Sequence, residues 1–480
     1  MLCIGRRRGQ GASSIDVAHA IIGFVARAQH EVMLFAAIGL LIGGADELAI
    51  DIIYIVRTVW RRLAIYTRHD AMTIATLPTP DHPGHMAVFI PAWREADVIG
   101  PMLWTALNKW GEGNYRIFVG TYPNDPATTA HVERFAAIDS RIVSVVNRQD
   151  GPTTKADCLN TLWMAMLAEE AACGSAFKAV VLHDAEDVVH PAELRLLDRM
   201  IDRFDLVQLP VLPLKSQQSQ WVSGHYCDEF AEAHGKFLVV REAIGAAVPS
   251  AGVGCALRRD ALAMLAASQG GKPFDARSLT EDYELGLRLK ERGFRGVFVR
   301  MNDADGQPVC SRGHFPETLR DAVKQKARWT VGISLAGWDR LGWHGGIVER
   351  WMRLRDRGAA LYALILFSAY LSGIGWLAIG LIQLLGGPVA RPVPPLLANI
   401  LGITAALMLW RLAVRAWFVG RAYGWRQALV SVPRTAIANL IAILAARRAL
   451  GAYVRLLKGA PLLWDKTHHR FPEQAGNQAR

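Results

Sequence analysis

The chain has 480 residues, 51% hydrophobic and 20% charged, with a mean hydropathy of +0.17, which excludes disorder and a small disulfide scaffold and leaves room for two or three domains with full cores. Six cysteines, at positions 3, 158, 173, 227, 255 and 310, form no CxxC pair, so neither a zinc ribbon nor a disulfide framework is indicated and a reducing compartment fits. The net charge of +11 and a pI of about 9.5 admit nucleic acid or a membrane surface as partner, and the position of the charge separates the two.

After an N-terminal segment, 1–31, the run Val32–Ala45 is uncharged but short, and Leu48–Val56 is apolar only around Asp46, Glu47 and Asp51. Together they read as one membrane span over 32–56. A signal peptide is the alternative, but the apolar core starts only at Val32 and no small-residue cleavage site follows it. Next, MAVFI at 86–90 reads as a strand stopped by Pro91, and the spacing of Val98, Leu103, Leu107 and Trp110 reads as a helix. Apolar runs at 116–120, 141–146, 179–184 and 205–212 repeat the alternation, with helical segments between them. The expected fold is α/β with a mostly parallel sheet, whose ligands lie beyond the carboxyl ends of the strands.

Three polar clusters follow apolar segments. In VVLHDAEDVVHP the strand runs into Asp184, Glu186 and Asp187. If the segment stays extended, Asp184 and Glu186 share a face and can reach one hard cation; capping of the next helix explains them equally well. In SLTEDYELGLRL, Glu281 and Asp282 start a helix, either as acids favoured by its dipole after a Thr280 cap or as a general base. QKARW, Gln325 to Trp329, offers packing and surface charge, or a phosphate grip beside a sugar-stacking ring. No GxxxxGK[ST] occurs, and Gly252 and Gly254 are followed by Leu257 where a dinucleotide fold has its third glycine.

From Gly358 to Trp464 there is no Asp or Glu but ten Lys and Arg residues, which nearly account for the net charge. Ala359–Leu385 is long enough to span a bilayer, GGPVARPVPP breaks it, and Leu396–Trp410 is a second span. Ala428–Ala446 contains Pro433 and Arg434, which suits a helix lying in the interface or re-entering as much as one that spans. Arg57, Arg61 and Arg62 on one side and Arg350, Arg353, Arg355 and Arg357 on the other place the 57–357 domain in the cytoplasm. Basic residues among apolar helices exclude nucleic acid as the partner. The divisions are therefore 1–31, 32–56, 57–357, 358–464 and a 465–480 tail.

In order along the chain, Pro91 to Glu95, Asp125, Lys155 with Asn160, Asp184 to Glu186, Glu281 with Asp282, and Gln325 with Arg328 and Trp329 resemble the motif set of inverting, cellulose-synthase-like family 2 glycosyltransferases. YPNDPAT, around Asn124 and Asp125, departs from the usual DDGS and is similar to the subgroup of inner-membrane adsorption proteins B. Glu186 stands where that family more often has Asp.

The resemblance implies a GT-A type nucleotide-sugar-binding domain flanked by transmembrane helices in the bacterial inner membrane, multi-pass, with the catalytic domain cytoplasmic. Pro91, Ala92, Glu95 and Asp125 would lie about the donor, Asp184 and Glu186 would hold Mg²⁺ or Mn²⁺, and Lys155 and Arg328 would face the diphosphate. Asp282 would be the base beside Glu281, with Gly254, Cys255, Gln325 and Trp329 along the acceptor. Implied partners are a nucleotide diphosphate sugar, UDP-linked, a glycan or lipid acceptor, membrane lipids, an outer-membrane or periplasmic export partner, and a regulatory partner. That last partner would supply any cyclic-dinucleotide control, since no regulatory domain is expected before Arg480. The competing expectation is a catalytically idle membrane scaffold or receptor with the same fold.

Overall fold

A computed structural model describes residues 14–385, 392–460 and 470–472; part of the expected N-terminal segment, most of the Pro-rich break and most of the tail lie outside them. The elements are α1 (Ser14–Trp60), β1 (Met86–Pro91), α2 (Ala96–Trp110), β2 (Tyr115–Thr121), α3 (Pro126–Ile138), β3 (Ile142–Val146) and α4 (Lys155–Cys173). Next come β4 (Ala179–Leu182), α5 (Glu193–Ile201), β5 (Leu206–Gln208), α6 (Val222–Glu232), α7 (Leu238–Ala243), β6 (Cys255–Arg258), α8 (Arg259–Ala267) and α9 (Glu281–Glu291). The chain continues through β7 (Gly296–Phe298), α10 (Leu319–Trp329), α11 (Ala336–Leu341), α12 (Ile347–Arg357), α13 (Ala359–Leu384), α14 (Pro395–Tyr423) and α15 (Trp425–Leu457).

It divides into two compact units. The first comprises Met1–Leu48 and Leu361–Arg411. In it Met33 and Ala37 of α1 pack on Leu397 of α14, and Gly39 leaves no room for a Cβ beside Ile365 of α13. Among the described residues four stretches, Ala26–Ile65, Ala359–Leu384, Pro395–Tyr423 and Trp425–Leu457, are long and apolar enough to cross a membrane. The N-terminal helix is longer than the expected 32–56 span and is not interrupted at its acids, because these find partners on other elements. Glu47 pairs with Arg411 at 2.5 Å within the first unit, and Asp51, buried, pairs with Lys236 at 2.5 Å within the second.

The second unit, Ala49–Ala360 with Leu412–Arg480, holds a seven-stranded sheet of order β3-β2-β1-β4-β6-β5-β7. All neighbours are parallel except β6, which runs antiparallel to β4 and β5. Alternation along β1 sends Val88 and Ile90 into one core and Ala87 and Phe89 into another, so both faces are covered and the strands read as continuous apolar runs. The run expected over 205–212 is a strand only to Gln208; Pro210 follows.

The stretch whose placement the sequence left open is one helix, α15, that runs through Pro433. Its Arg434 is buried against α6, donating to Gly224 O (2.7 Å) and to Asp228 (3.0 Å), and its Ala445 and Ala449 pack on Ala327 and Val331 in and just after α10.

Helix α9 meets the Val248–Ser250 segment backbone to backbone. A Cβ on Gly286 would come to 2.2 Å from Val248 O and 2.8 Å from Pro249 Cα. Gly286→Ala is therefore expected to cost about 1–3 kcal/mol and to lower the thermal unfolding midpoint of the purified full chain. An unchanged midpoint would mean that the 248–250 segment can move aside.

Candidate active site

The carboxyl ends of β2, β1 and β4 lie side by side, and the Leu182↔Cys255 pairing brings the loop before antiparallel β6 to the same edge. Here the connections after β1 and β2 clasp each other. Asp125 takes Arg94 N at 2.6 Å on one carboxylate oxygen and Thr128 N, in the first turn of α3, at 3.4 Å on the other. Glu95 N donates to Thr128 Oγ1, and Ala92 N to Gly120 O. Pro91, Ala92, Glu95 and Asp125 are thus together, as expected, but Asp125 is buried and tied to backbone amides. Its main service is to hold Arg94, whose φ of 54° is rare outside glycine. Asn160 is likewise turned inward, bonding both ways with the Phe274 backbone.

The DAED segment is a turn rather than the extended run assumed for it. Strand β4 ends at Leu182, and Asp187 N donates back to Asp184 O. Asp187 explains the bend: its carboxylate takes His183 Nδ1 at 2.9 Å and Asp184 N at 3.0 Å, so it serves the turn and not a ligand. His183, wholly buried, has Glu193 Oε1 of α5 3.1 Å from its other nitrogen, off the hydrogen-bond line. Burial alone would lower its pKa; Glu193 and Asp187 outweigh burial and lift it to about 10, which keeps it an imidazolium. No periodicity marks His183 in the sequence, since its second partner comes from another element.

Asp184 is about one-third exposed, and its Oδ1 lies 2.6 Å from Nζ of Lys155, at the start of α4. For Lys155, desolvation is outweighed by Asp184, Glu281 and Asp282, and its pKa is raised. Asp184 and Glu186, on one turn, make an all-oxygen donor set suited to a hard cation that completes its shell from a ligand. No group of three or more His, Cys, Asp or Glu side chains among the described residues has metal-site geometry.

Glu281 and Asp282 open α9. Thr280, expected to cap it through its hydroxyl, makes no such bond and is crowded by Gly332 instead. Asp282 takes Tyr283 N at 2.7 Å and lies against Gly252 (φ 73°), where a Cβ would stand 2.4 Å from its Oδ2. Burial, then Asp282, push Glu281 up to about 7; burial raises Asp282 as well, with Lys155 opposing in both. Gly252, not Gly254, is the close approach to Asp282. Cys255 gives way as an acceptor residue: it is wholly buried, takes Ser250 Oγ at 3.1 Å, and burial pushes its thiol up to about 12. Gly254 is packed on Ser311.

On α10, Gln325 Oε1 and Arg328 Nε are buried without a hydrogen-bond partner, the condition of groups that a ligand satisfies. Arg328 also acts electrostatically on both Glu281 and Asp282. Trp329 is half-buried, edge-on to Tyr226 at 6.2 Å, with Lys326 Nζ 4.7 Å over its ring. One face of the indole is therefore occupied.

A family model described as glycosyl transferase family group 2 matches residues 179–426, from β4 through the start of α15. The chain is 38% identical over 462 residues to bacteriophage adsorption protein B of Escherichia coli K12, and equally to bacteriophage N4 adsorption protein B of E. coli O157:H7. Each alignment covers 92% of this chain and 62% of the relative, so the chain spans less than two thirds of the curated relatives it matches. Similar solved structures include a mannosyltransferase of Pyrobaculum calidifontis in complex with GDP-Man and Mn²⁺ (16% identical, covering 84% of this chain and 99% of that one, TM-score 0.49). Another is glucosyl-3-phosphoglycerate synthase of Mycobacterium tuberculosis with Mn²⁺, UDP and phosphoglyceric acid (17% identical, 57% and 84% covered, TM-score 0.34).

The buried His183 holds two carboxylates, and His183→Phe leaves both without their cation, a loss of about 3–5 kcal/mol expected in denaturant unfolding. Because its pKa is raised, the stability it adds is complete below the ordinary histidine pKa and is lost as pH rises through about 10. The gap between parent and variant should narrow over that window; a constant gap would assign the loss to packing.

Proposed function

The chain belongs to glycosyl transferase family group 2 and is a glycosyltransferase with a GT-A type α/β domain, and on that premise we propose how it works. It transfers a sugar from a nucleotide diphosphate sugar, UDP-linked, to a glycan or lipid acceptor with inversion, at the bacterial inner membrane with the catalytic unit on the cytoplasmic side. One observation carries the reading: Lys155, Asp184 and Asp282 converge at the end of β4, a cation for a leaving diphosphate beside a carboxylate for an incoming hydroxyl. Arginines flanking the apolar helices support the orientation.

In this mechanism the acceptor hydroxyl gives its proton to Asp282 while its oxygen forms the bond to the anomeric carbon. The bond from that carbon to the diphosphate oxygen breaks, and the electron pair leaves with the diphosphate. Attack opposite the leaving group inverts the centre, so one base suffices. Lys155, kept cationic by its three carboxylates, and Arg328 stabilise the departing charge. Mg²⁺ or Mn²⁺ held by Asp184 and Glu186 would add Lewis-acid stabilisation to the same oxygens. Burial raises the Asp282 carboxyl above its ordinary value, which makes its carboxylate a stronger base.

A second reading, an idle receptor, draws on the names of the two relatives; the retained acids and Lys155 oppose it. Incubation of the full chain in detergent with a panel of labelled UDP-sugars and Mn²⁺ separates the two, since a receptor turns over none of them.

Asp184→Asn and Glu186→Gln are each expected to weaken UDP binding in the presence of Mn²⁺ by roughly tenfold or more while leaving metal-free UDP binding alone, as read by calorimetry. Parental affinity in both would sink the metal assignment. Asp282→Asn should keep that affinity and lose roughly 10² to 10⁴ in transfer. In the parent, transfer should fall with acid along a limb above the ordinary carboxylate range, because the base works deprotonated and its pKa is raised. A limb at pH near 4, or turnover that survives in the amide variant, points to another base.

A further inference from the structure

The bond that orients Asp282 comes from its neighbour: Tyr283 N donates to Asp282 Oδ1 at 2.7 Å. Tyr283 is buried, and its phenol donates to Asp356 Oδ2 at 2.6 Å. Asp356 in turn accepts two bonds from Arg241 Nη1, at 2.9 and 2.7 Å, while Arg241 Nε is held by Ala247 O at 2.6 Å. The backbone carbonyl of Asp356 takes Ser334 Oγ at 3.0 Å. Asp356 therefore has little freedom, and it lies on α12, which Gly358 alone separates from α13.

The rest of α9 is gripped as well. Glu284 takes Ser278 Oγ and pairs with Arg340 of α11, and Glu291 at the far end pairs with Arg353 of α12 at 2.7 Å. Gly286 meets Val248 and Pro249 backbone to backbone. Of these contacts only the phenol bond reaches the residue whose amide touches the base. Burial, then Asp356, raise the Tyr283 pKa well above that of a free phenol, so the hydroxyl keeps its proton and can only donate here.

We propose that Tyr283 and Asp356 are positioning residues for Asp282: their bond fixes the amide that aims the base, and so ties the geometry of transfer to the helix leading into α13. The inference rests on Asp282 being the base. A tyrosine that merely fills the core would do its work through ring area, which Tyr283→Phe preserves.

The test uses the full chain in detergent and four variants: Tyr283→Phe, Asp356→Asn, the two together, and Asp282→Asn. For the first two, kcat for transfer is expected to fall by about 10 to 10² with the donor KM and the Mn²⁺-dependent UDP affinity unchanged, as befits a misaimed group. Since both changes act on the Tyr283–Asp356 bond and Asp356→Asn also weakens the pairing with Arg241, the double variant should be no slower than Asp356→Asn alone. Amide exchange over Glu281–Glu284 should quicken in all three, whether or not any sugar is turned over. Parental rates and exchange in Tyr283→Phe overturn the proposal, as do losses that multiply in the double variant or a matching loss of UDP affinity. Turnover at the parental rate in Asp282→Asn removes the base reading and this inference with it. Dependence on Asp282 without dependence on Tyr283 removes this inference alone.

Discussion

A single ammonium among carboxylates organises the catalytic unit. Lys155 is enclosed, and an enclosed lysine ordinarily loses its proton; it stays charged because Asp184, Glu281 and Asp282 surround it. The dependence is mutual, since Lys155 holds down the two acids that open α9, which burial would otherwise lift further. Three segments far apart in sequence, at the start of α4, the end of β4 and the start of α9, are thereby required to meet. Displacing the start of α4 leaves the carboxylates facing each other in a poorly hydrated place, which is costly.

The surrounding architecture serves that meeting. The antiparallel insertion of β6 turns its preceding loop toward the end of β4, and the positive φ of Gly252 lets that loop run against Asp282 where any side chain would collide. Under β4, His183 is a second buried cation between carboxylates, and it bends the segment that presents Asp184. Charges along α6 repeat the theme in the same unit: Asp228 meets Arg434, and Glu232 meets Lys236 and Arg415. Arg415 and Arg434, which look like surface charge within an apolar tract, are thus members of internal pairs.

Much was legible beforehand where the signal is local. The strand stopped by Pro91, the apolar run of β4, the helix of α2 and the acids that open α9 follow from apolar periodicity and its interruptions, which are set by neighbours in the chain. The N-terminal helix runs beyond the expected 32–56 at both ends, because charged residues such as Glu31 and Arg57 limit an apolar span without ending a helix; the acids inside the run are met by Arg411 and Lys236. That Asp125, expected about the donor, also clasps two connections was not legible, because the amide it takes belongs to Arg94, in the connection after β1.

Composition, hydropathy and motif order were enough to establish an α/β domain bounded by helices able to cross a membrane, and which residue types its chemistry would use. They could not establish which member of each motif faces the reaction. The partners of Asp187 and Cys255, the close approach of Gly252 and the phenol behind Asp282 came into view only when the folded chain brought distant segments together. The reason is range: backbone periodicity is written by residues three or four apart, whereas the state and direction of a buried polar group depend on charges and amides that only packing brings within a few ångströms.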